Sequence, residues 1–473
     1  MLGFLLTLLL PYTVLSIPTQ HPFTLTPAAP LPVSNATKSL WINTPGANLL
    51  ANEGSTGILT ENADVCIIGS GMTGVSTAFH LAQAVKEQSL YNSSSNLTAV
   101  ILEAREFCSG ATGRNGGHLT PYSFFNYRTF ERKHGKIEAV KSLQLENRTA
   151  MAMVKLIHEH NLTSTVDLVE GGHISLIGSP QEYESLIAEY HAARQAGLDV
   201  GDVEWLSATK VESTYHSRYP AVKFPAFNFW PLKFVTQLYL LANSSTPHFS
   251  LKLHTQTPVT SIDSSSSSKQ NIQTPRGSVQ CTHVVHATNA YASHLLPQFG
   301  GRKGIVPTRG QIIALRAKIA LNDTWKASWG GLDHYWFPRP LNGSDTDAGS
   351  QHPLVILGGG RGIGDPTFEQ FQTDDSVVNA AVGVDLQMEW TGIMGYTEST
   401  DPIVGPVISD ILPKDDVDSI QTFIAAGYSG HGMPRAFSCA EAVASMVVAA
   451  VQRKPWSLPE WFPKRYLTWN RLR

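Results

Sequence analysis

The sequence has 473 residues, of which 42% are hydrophobic and 15% are charged, and its net charge is -3. This length predicts at least two domains, and the hydrophobic fraction excludes a disordered chain. Because basic residues are not in excess, a general nucleic-acid-binding protein is also excluded. Beyond residues 2–10 the sequence shows no long apolar run, so no membrane span is predicted.

Residues 2–10 (LGFLLTLLL) form a short apolar run that ends at Pro11. The run is too short to cross a bilayer and is typical of a secretory signal peptide, with Val14 and Ser16 as small residues before the cut. We therefore expect a signal peptide at residues 1–16 and a secreted protein. No Lys or Arg precedes the run, although signal peptides usually begin with a basic segment. The alternative is therefore a cytoplasmic enzyme with a flexible N-terminal tail. Eight Asn-x-Ser/Thr sequons favour secretion and glycosylation: Asn35, Asn92, Asn96, Asn147, Asn161, Asn243, Asn322 and Asn342.

The four cysteines contain no Cys-x-x-Cys pair and are too few for a disulfide framework. Cys66 and Cys439 lie in strand and helix patterns, and both are predicted to be buried thiols. The 17 histidines are scattered without a His-Glu-x-x-His motif, so no metal site is predicted.

Residues 17–60 are rich in Pro, Thr and Asn and predict an extended N-terminal arm. An apolar strand at 63–68, a helix at 75–86 and a second strand at 99–102, which leads into Glu103, then predict a βαβ unit. Later helices are predicted at 136–160, 180–196 and 436–451. Later strands are predicted at 166–169, 173–177, 281–287, 354–357 and 422–426.

The turn after the first strand reads Gly69-Ser70-Gly71-Met72-Thr73-Gly74, the fingerprint of a dinucleotide-binding site. Gly69 permits the tight turn, Gly71 lets the backbone approach a pyrophosphate, and Gly74 lets helix and strand pack closely. Glu103 is placed for the ribose, although it follows Gly69 by 34 residues rather than about 20. This unit alone leaves NAD and FAD open.

A second Gly-rich stretch, residues 109–118 (SGATGRNGGH), follows the strand that leads into Glu103. Backbone without side chains can run flat against a bulky ring system, so this stretch favours FAD over NAD. The alternative is a surface loop.

Four segments now resemble the FAD-dependent D-amino-acid oxidase superfamily: ADVCIIGSGMTG from residue 63, VILEAREFCSGATGRNGGHL from 100, LVILGGGR from 354 and AAGYSGHGMPRAF from 425. The second and fourth are most similar to the γ-glutamylputrescine oxidase-like branch. The resemblance implies an α/β fold with a Rossmann-like FAD-binding domain, built on a mixed or parallel sheet, and a second α+β substrate-binding domain on an antiparallel sheet. We assign residues 61–130, 240–305 and 385–455 to the first domain, 131–239 and 306–384 to the second, and 456–473 to a C-terminal tail.

The resemblance also implies which residues hold FAD. Gly69, Ser70, Gly71, Thr73 and Gly74 would hold the pyrophosphate and Glu103 the ribose, with Arg105 and the Val259 backbone beside the adenine. Ala111, Thr112, Arg114, Asn115, Gly116 and Gly117 would line the flavin. Gly430, His431, Gly432 and Met433 would cover its pyrimidine side.

Two positions depart from the pattern of the superfamily. Relatives that bind FAD covalently carry a cysteine before a Tyr-Thr pair, whereas the stretch here is Ile393-Met394-Gly395-Tyr396-Thr397. Non-covalent FAD is therefore expected, with a histidyl link through His118 as the alternative. Pro434 stands where relatives place a lysine that activates O2, which weakens the expectation of O2 as electron acceptor.

The implied reaction is oxidation of the C–N bond of a small-molecule amine or amino acid. A hydride passes to flavin N5, the imine is hydrolysed, and O2 yields H2O2. His431 would tune the flavin, Tyr335 and Trp336 would wall the substrate pocket, and Arg339 would pair with a substrate carboxylate. Core packing of the two aromatics and a structural ion pair of Arg339 are the alternatives. Alternative functions are tailoring of a specialised small molecule and a flavoprotein subunit without catalysis.

Overall fold

The computed structural model describes residues 28–87, 96–264, 269–318, 320–321, 323–341, 352–359, 371–378, 386–407 and 422–471. The predicted signal peptide and the sequons at Asn92, Asn322 and Asn342 lie outside these residues. The end of the LVILGGGR segment, Gly360-Arg361, also lies outside them.

Numbered in chain order, the strands of the described residues are β1 (Asn62–Ile68), β2 (Leu97–Leu102), β3 (His118–Leu119), β4 (His173–Leu176), β5 (Glu204–Leu206), β6 (Ala221–Phe224), β7 (Phe227–Asn228), β8 (Phe249–His254), β9 (Ser261–Ser264), β10 (Gln270–Thr274), β11 (Gly277–His286), β12 (Val306–Arg316), β13 (Ser328–Gly331), β14 (His334–Pro338), β15 (Leu354–Gly359), β16 (Leu386–Tyr396), β17 (Ile403–Pro406) and β18 (Thr422–Ala426). The helices are α1 (Leu40–Asn43), α2 (Met72–Lys86), α3 (Tyr127–His134), α4 (Lys136–Glu159), α5 (Pro180–Ala196), α6 (Ala208–Tyr215), α7 (Pro231–Asn243) and α8 (Met433–Val451).

The first sheet has the strand order β17-β18-β11-β1-β2-β8. Strands β18, β11, β1, β2 and β8 run parallel, whereas β17 and the hairpin β9–β10 pair antiparallel. The predicted Rossmann-like mixed sheet is therefore confirmed. Alternate residues of β1 point to opposite faces: Val65 and Ile67 pack in the cluster that contains α2 and α8, and Cys66 packs with the hairpin. Burial on both faces explains why β1 reads as a continuous apolar run.

The second sheet has the order β16-β12-β15-β14-β13-β4-β6-β5, and β13–β4 is its one parallel pair in the described residues. The predicted antiparallel second sheet is thus present. One predicted boundary is wrong, because a first-domain segment starting at residue 385 would include β16. That strand pairs with β12 along the second sheet, from Val306↔Tyr396 to Leu315↔Leu386.

Cys66 and Cys281 form a disulfide between the neighbouring strands β1 and β11, with their Cα atoms 5.8 Å apart. The prediction that Cys66 is a free thiol is therefore wrong. The two residues are 215 positions apart in sequence and become neighbours only when the parallel sheet forms. Cys439 is a buried free thiol as predicted, and Cys108 is another.

Helix α8 is long and apolar enough to cross a membrane by length and composition, and it is the one helix of the described residues that meets this test. It is a core helix here, because residues all around it are buried, from Met433 to Val447. Small side chains such as Ala436 and Ala440 let it pack closely.

The N-terminal arm is not simply extended. Ser39 caps α1 by accepting a hydrogen bond from the Trp41 backbone N–H. Trp41 is fully buried against Trp230 and Trp390. The arm is therefore part of the core, which its composition did not predict.

Candidate active site and cofactor cavity

The fingerprint turn lies where β1 ends and α2 begins. Gly69 has φ of +105°, and its N–H donates to the Leu102 carbonyl at 2.8 Å. A Cβ on Gly69 would lie 2.8 Å from the Ala287 carbonyl oxygen, so a side chain is excluded by both conformation and space. Gly74 packs directly on the Gly69 carbonyl. Gly69 therefore permits the tight turn and Gly74 the close packing of helix and strand, as the sequence predicted.

Glu103 lies at the carboxyl end of β2, beside this turn. One carboxylate oxygen, Oε2, accepts hydrogen bonds from the Ser70 N–H at 2.9 Å and the Ser70 hydroxyl at 2.7 Å. The other, Oε1, accepts from the Arg105 N–H at 3.0 Å. Oε2 thus accepts two hydrogen bonds, whereas Oε1 accepts one and keeps a lone pair for a ribose hydroxyl.

The second Gly-rich stretch is tightly packed against other parts of the protein. The sequence had predicted that its glycines make room for a ring system, but most of them lie against protein side chains. A Cβ on Gly113 would lie 2.9 Å from Ile42, one on Gly116 would lie 2.7 Å from Tyr335, and one on Gly117 would lie 3.0 Å from Trp41. Gly110, in contrast, has no heavy atom within 4 Å of its Cβ position. Most glycines of this stretch therefore accommodate protein side chains, and Gly110 leaves open space.

A cavity of about 760 Å³ connects the two Gly-rich segments with the second sheet. It contains most of the predicted cofactor residues: Gly69, Gly71, Thr73, Glu103, Arg105, Ala111, Thr112, Arg114, Asn115, Gly116, Val259, Gly430, His431, Gly432 and Met433. Ser70, Gly74 and Gly117 do not line it. Ser70 instead holds Glu103, Gly74 packs on Gly69, and Gly117 lies under Trp41.

The residues present fit FAD. Gly71, the N-cap of α2, would place a Cβ near a single side chain, that of Thr112, and otherwise faces open space. Gly71 supplies no capping side chain, and the Met72 N–H donates to the Thr112 hydroxyl at 3.0 Å. The remaining N–H groups of the first turn of α2 and its positive helix end are available to phosphates. An acceptor at Glu103 and open backbone at Gly110 complete a cradle for a dinucleotide.

Arg105 and Arg114 line the cavity but use their guanidinium groups within the protein. Arg105 Nη1 lies 3.0 Å from Asp375 Oδ1, and Arg114 Nε lies 3.5 Å from Asp375 Oδ2. Arg114 Nη1 also donates to the Thr391 carbonyl at 3.0 Å. Burial lowers the pKa of Arg114 to about 10, against the opposing attraction of Asp375. Both arginines are therefore fixed in the cavity wall by ion pairs with the same buried carboxylate, that of Asp375.

His431 lines the cavity, with its ring held from two sides. It stacks on Tyr122 with ring centroids 3.9 Å apart and 5° between the planes. Its Nε2 lies 3.1 Å from Glu146 Oε2, and Arg435 Nε lies 2.8 Å from Glu146 Oε1. The Tyr122 N–H donates to Glu146 as well, at 2.7 Å.

Glu146 is 1% exposed at its side chain, and its charge is balanced by its neighbours. Burial by itself would raise its pKa, but His431 and Arg435, together with the hydrogen bonds from His431 and Tyr122, lower the pKa below its usual value. Glu146 is thus an ionised carboxylate that fixes His431. Its role is not visible in the sequence, because a lone Glu in the middle of a helical pattern carries no motif.

Tyr335 and Trp336 point to opposite faces of β14, as neighbours on a strand must. Tyr335 lines the cavity, where its ring contacts Gly116, Gly358 and the ring of His118 at a centroid distance of 5.0 Å. Trp336 stacks on Trp329 at 5.2 Å and does not line the cavity. The placement of Tyr335 agrees with a pocket wall, and Trp336 is a packing residue.

Arg339 does not line the cavity, so its predicted pairing with a substrate carboxylate is contradicted. Its side chain is fully buried, and Nη2 lies 2.6 Å from Asp167 Oδ2. The guanidinium also lies over the rings of Trp41 and Trp230, at 5.3 and 5.0 Å from their centroids. This is the structural ion pair that the sequence left as the alternative.

Two histidines that the sequence did not place in the substrate pocket line the cavity beside Tyr335. Burial lowers the pKa of His118 to about 4, although backbone hydrogen bonds at Gly116 and Trp336 oppose the shift. Burial and the neighbouring His118 lower the pKa of His173 to about 3. Both rings are therefore neutral at physiological pH.

Residues 64–446 match the family described as FAD dependent oxidoreductase, DAO. The chain belongs to this family. Glycine oxidase from Bacillus licheniformis is 21% identical over 414 residues, which cover 84% of this chain and 96% of that protein. A crystal structure of glycine oxidase from Geobacillus kaustophilus has the same fold, with a TM-score of 0.61, 21% identity, and coverage of 85% of this chain and 97% of that one.

A third relative is similar over a short region alone. Gamma-glutamylputrescine oxidoreductase from Escherichia coli K12 is 38% identical over 72 residues, which are 15% of this chain and 14% of that protein. The predicted superfamily, its α/β fold and its FAD-dependent oxidoreductase character are confirmed by the family match. The short region of similarity does not assign the chain to the γ-glutamylputrescine oxidase-like branch.

Proposed function

We propose that this family member oxidises the C–N bond of an amine or amino acid, with O2 as the electron acceptor and H2O2 as a product. The cavity lining at Gly69, Gly71 and Glu103 would hold FAD, which would supply the hydride acceptor for the carbon next to the amine nitrogen. The resulting imine is hydrolysed by water. The chain itself must bind the substrate, keep its amine uncharged and orient it.

The observation that carries this proposal is the charge of the cavity wall. Among the described residues that line the cavity, Glu103 is the one carboxylate, and it lies at the β2 end beside Ser70. The wall formed by Tyr335, His118 and His173 is polar and neutral. Such a wall does not stabilise an ammonium ion, and an amine can release a hydride from its neighbouring carbon when its nitrogen lone pair is free.

Buried polar atoms near this wall lack hydrogen-bond partners among the described residues, which supports a substrate that can form hydrogen bonds. Thr120 Oγ1, in the cavity wall, and both amide atoms of Asn228 are buried without a hydrogen-bond partner among the described residues. Asn228 lies directly opposite His118 in the β3–β7 ladder. Buried polar groups are almost always satisfied, so a substrate or ordered water is expected to satisfy these atoms. The name of the glycine oxidase relatives supports a small amino acid as one such substrate.

Non-covalent FAD is part of the proposal. Met394 lines the cavity at the position where covalent relatives carry a cysteine, and a thioether has no thiol to bond to the flavin. The alternative link is through His118, which lines the same cavity. Acid precipitation separates the two cases, since non-covalent FAD stays in the supernatant and covalent flavin stays with the polypeptide.

Steady-state turnover tests the reaction and its electron acceptor. The holoenzyme is assayed with a panel of primary amines, secondary amines and amino acids, and separately with alcohols. H2O2 and reduction of an artificial dye are measured in parallel. We expect turnover with a member of the panel and H2O2 release in air. Dye reduction without H2O2 would overturn O2 as acceptor and would agree with Pro434 in place of the oxygen-activating lysine. Turnover with alcohols alone would overturn C–N oxidation.

We further propose that the protein enters the secretory pathway. The sequons at Asn35, Asn96, Asn161 and Asn243 are exposed, as glycan attachment requires. A disulfide between Cys66 and Cys281 supports an oxidising compartment. The fifth described sequon, at Asn147, is half-buried, and its Thr149 hydroxyl is buried and donates to Leu145 and Ser438.

A further inference from the structure

The N-terminal arm, defined here as residues 29–44, lies outside the region 64–446 that matches the family. It nevertheless borders the cofactor cavity: residues 30–32 line the cavity, and Val33, Thr37 and Trp41 are hydrogen-bonded to residues that line it. Pro30, Leu31 and Pro32 line the cavity together with Arg105 and Val259, at the end where Glu103 lies. The arm therefore forms a wall of the cavity that the matched region does not provide.

The first attachment of the arm is at residues 293–294. The Ala29 N–H donates to the Ser293 hydroxyl at 2.9 Å, and His294 Nδ1 lies 3.1 Å from the Ala29 carbonyl oxygen. Ala29 is 1% exposed. These contacts fix the backbone immediately before Pro30, and the two prolines around Leu31 restrict the chain that follows.

The second attachment is at the buried Arg105–Asp375–Arg114 group. The Thr37 N–H donates to the Asp375 carbonyl at 2.8 Å, and Arg114 Nη1 donates to the Thr37 carbonyl at 2.8 Å. Arg105 Nη1 donates to the Val33 carbonyl at 3.2 Å. Two arginines that line the cavity thus hold the arm with the same guanidinium groups that bind Asp375.

The third attachment is at the second Gly-rich stretch. The Ser39 hydroxyl donates to the Gly113 carbonyl at 2.6 Å, and the Trp41 indole N–H donates to the Asn115 carbonyl at 2.6 Å. Ile42 and Trp41 occupy the space beside Gly113 and Gly117. Removal of the arm would leave these backbone carbonyls without their donors and the stretch without its packing.

We propose that residues 29–44 are a cofactor clamp. The Pro30–Pro32 part covers the Glu103 end of the cavity, and the Ser39–Ile42 part fixes the stretch expected to line the flavin. FAD bound beneath the arm cannot leave until the arm detaches, so the clamp slows FAD release. This proposal depends on FAD binding and not on the identity of the substrate.

The first test compares two Leu→Ala substitutions in the same N-terminal segment. Leu31 lines the cavity, whereas Leu49 is 71% exposed and lies outside the clamp. FAD release from each holoenzyme is followed by the rise in flavin fluorescence on dilution. Leu31→Ala is expected to release FAD roughly tenfold faster than wild type, and Leu49→Ala at the wild-type rate. Equal release from all three proteins would overturn the clamp.

The second test needs no substitution. Lys38 is exposed between the attachments at Thr37 and Ser39. Trypsin can cleave the chain after Lys38 once the arm detaches, so the cleavage rate measures detachment of the arm. Cutting is expected to be at least tenfold slower in the holoenzyme than in the apoenzyme. The same cutting rate with and without FAD would show that the arm does not close over the cofactor, whatever substrate the enzyme uses.

Discussion

His431 is the residue most directly placed to influence a flavin, because it lines the cavity on a fixed ring platform. Tyr122 stacks on one face of the imidazole, and Glu146 holds its Nε2. The sequence predicted the histidine from its two flanking glycines. It could not predict Tyr122 or Glu146, which lie more than 280 residues away in the sequence. Glu146 reaches His431 through the packing of α4 on α8, and Tyr122 is joined to Glu146 by its backbone N–H.

His431→Ala is expected to leave FAD bound and to slow flavin reduction by roughly 10²–10³-fold, the cost of losing one electrostatic contact to developing charge. Stopped-flow absorbance under anaerobic conditions measures the rate, and the flavin-to-protein absorbance ratio measures occupancy. His160→Ala, at an exposed position after α4, is the matched control. Loss of flavin with normal reduction of the remaining holoenzyme would assign His431 a structural role.

Glu146→Gln tests whether the ionised Glu146 carboxylate holds His431 and Arg435. The quantity measured is the free energy of unfolding at two pH values. The folded-state pKa of Glu146 lies below its unfolded value of about 4.3, so its contribution is complete above that pH and is lost as pH falls through the folded pKa. The variant should lose about 3 kcal/mol at pH 7, because Arg435 is left buried without its charge partner. The difference from wild type should shrink below pH 4. Urea unfolding at both pH values measures it, and a constant difference would contradict the assignment.

At the scale of elements, the β1–α2 turn is the part of the site that the sequence predicted best. An apolar strand, three spaced glycines and a helix are local features, and all were found within three residues of the predicted bounds. The assignment of β16 was wrong, because its partner β12 lies about 80 residues earlier and pairing is not a local property. The same reason explains the missed Cys66–Cys281 disulfide.

Gly71→Val is expected to abolish FAD binding while the chain still folds. The branched side chain would fill the open space in front of the α2 N-terminus, where phosphate groups approach, and would meet Thr112. Flavin content after purification and circular dichroism measure the two outcomes. Gly201→Val, in an exposed turn remote from the cavity, is the control. A folded Gly71→Val protein with stoichiometric flavin would refute the fingerprint assignment.

At the scale of the whole molecule, the motifs predicted the FAD site and carried the resemblance to the family, and that resemblance implied the two sheets. Neither the motifs nor the composition predicted the course of the N-terminal arm. Its Pro and Thr content resembles that of a linker, but Ser39 and Trp41 attach it to the second Gly-rich stretch. Arg339 is the opposite case, in which a predicted site residue belongs to the core. An arginine after an aromatic strand suggests a substrate anchor, but Arg339 is buried and paired with Asp167.

Native protein is expected to begin after Ser16 and to carry N-linked glycans at exposed sequons. Intact-mass analysis before and after deglycosylation tests both features, and peptide mapping should find glycans among Asn35, Asn96, Asn161 and Asn243 before Asn147. An N-terminus at Met1 together with an unchanged mass after deglycosylation would contradict secretion.

Oxidation of a C–N bond by the flavin is tested by anaerobic titration of the yellow holoenzyme with candidate amines and amino acids, and with an alcohol for comparison. Bleaching of the visible flavin absorbance by a free amine, with recovery on admission of air, is the predicted result. Because the cavity wall beside Tyr335 is neutral, bleaching should become faster as pH rises through the pKa of the substrate amine. Flavin that stays oxidised with every amine, yet is bleached by an alcohol, would contradict oxidation of a C–N bond by this protein.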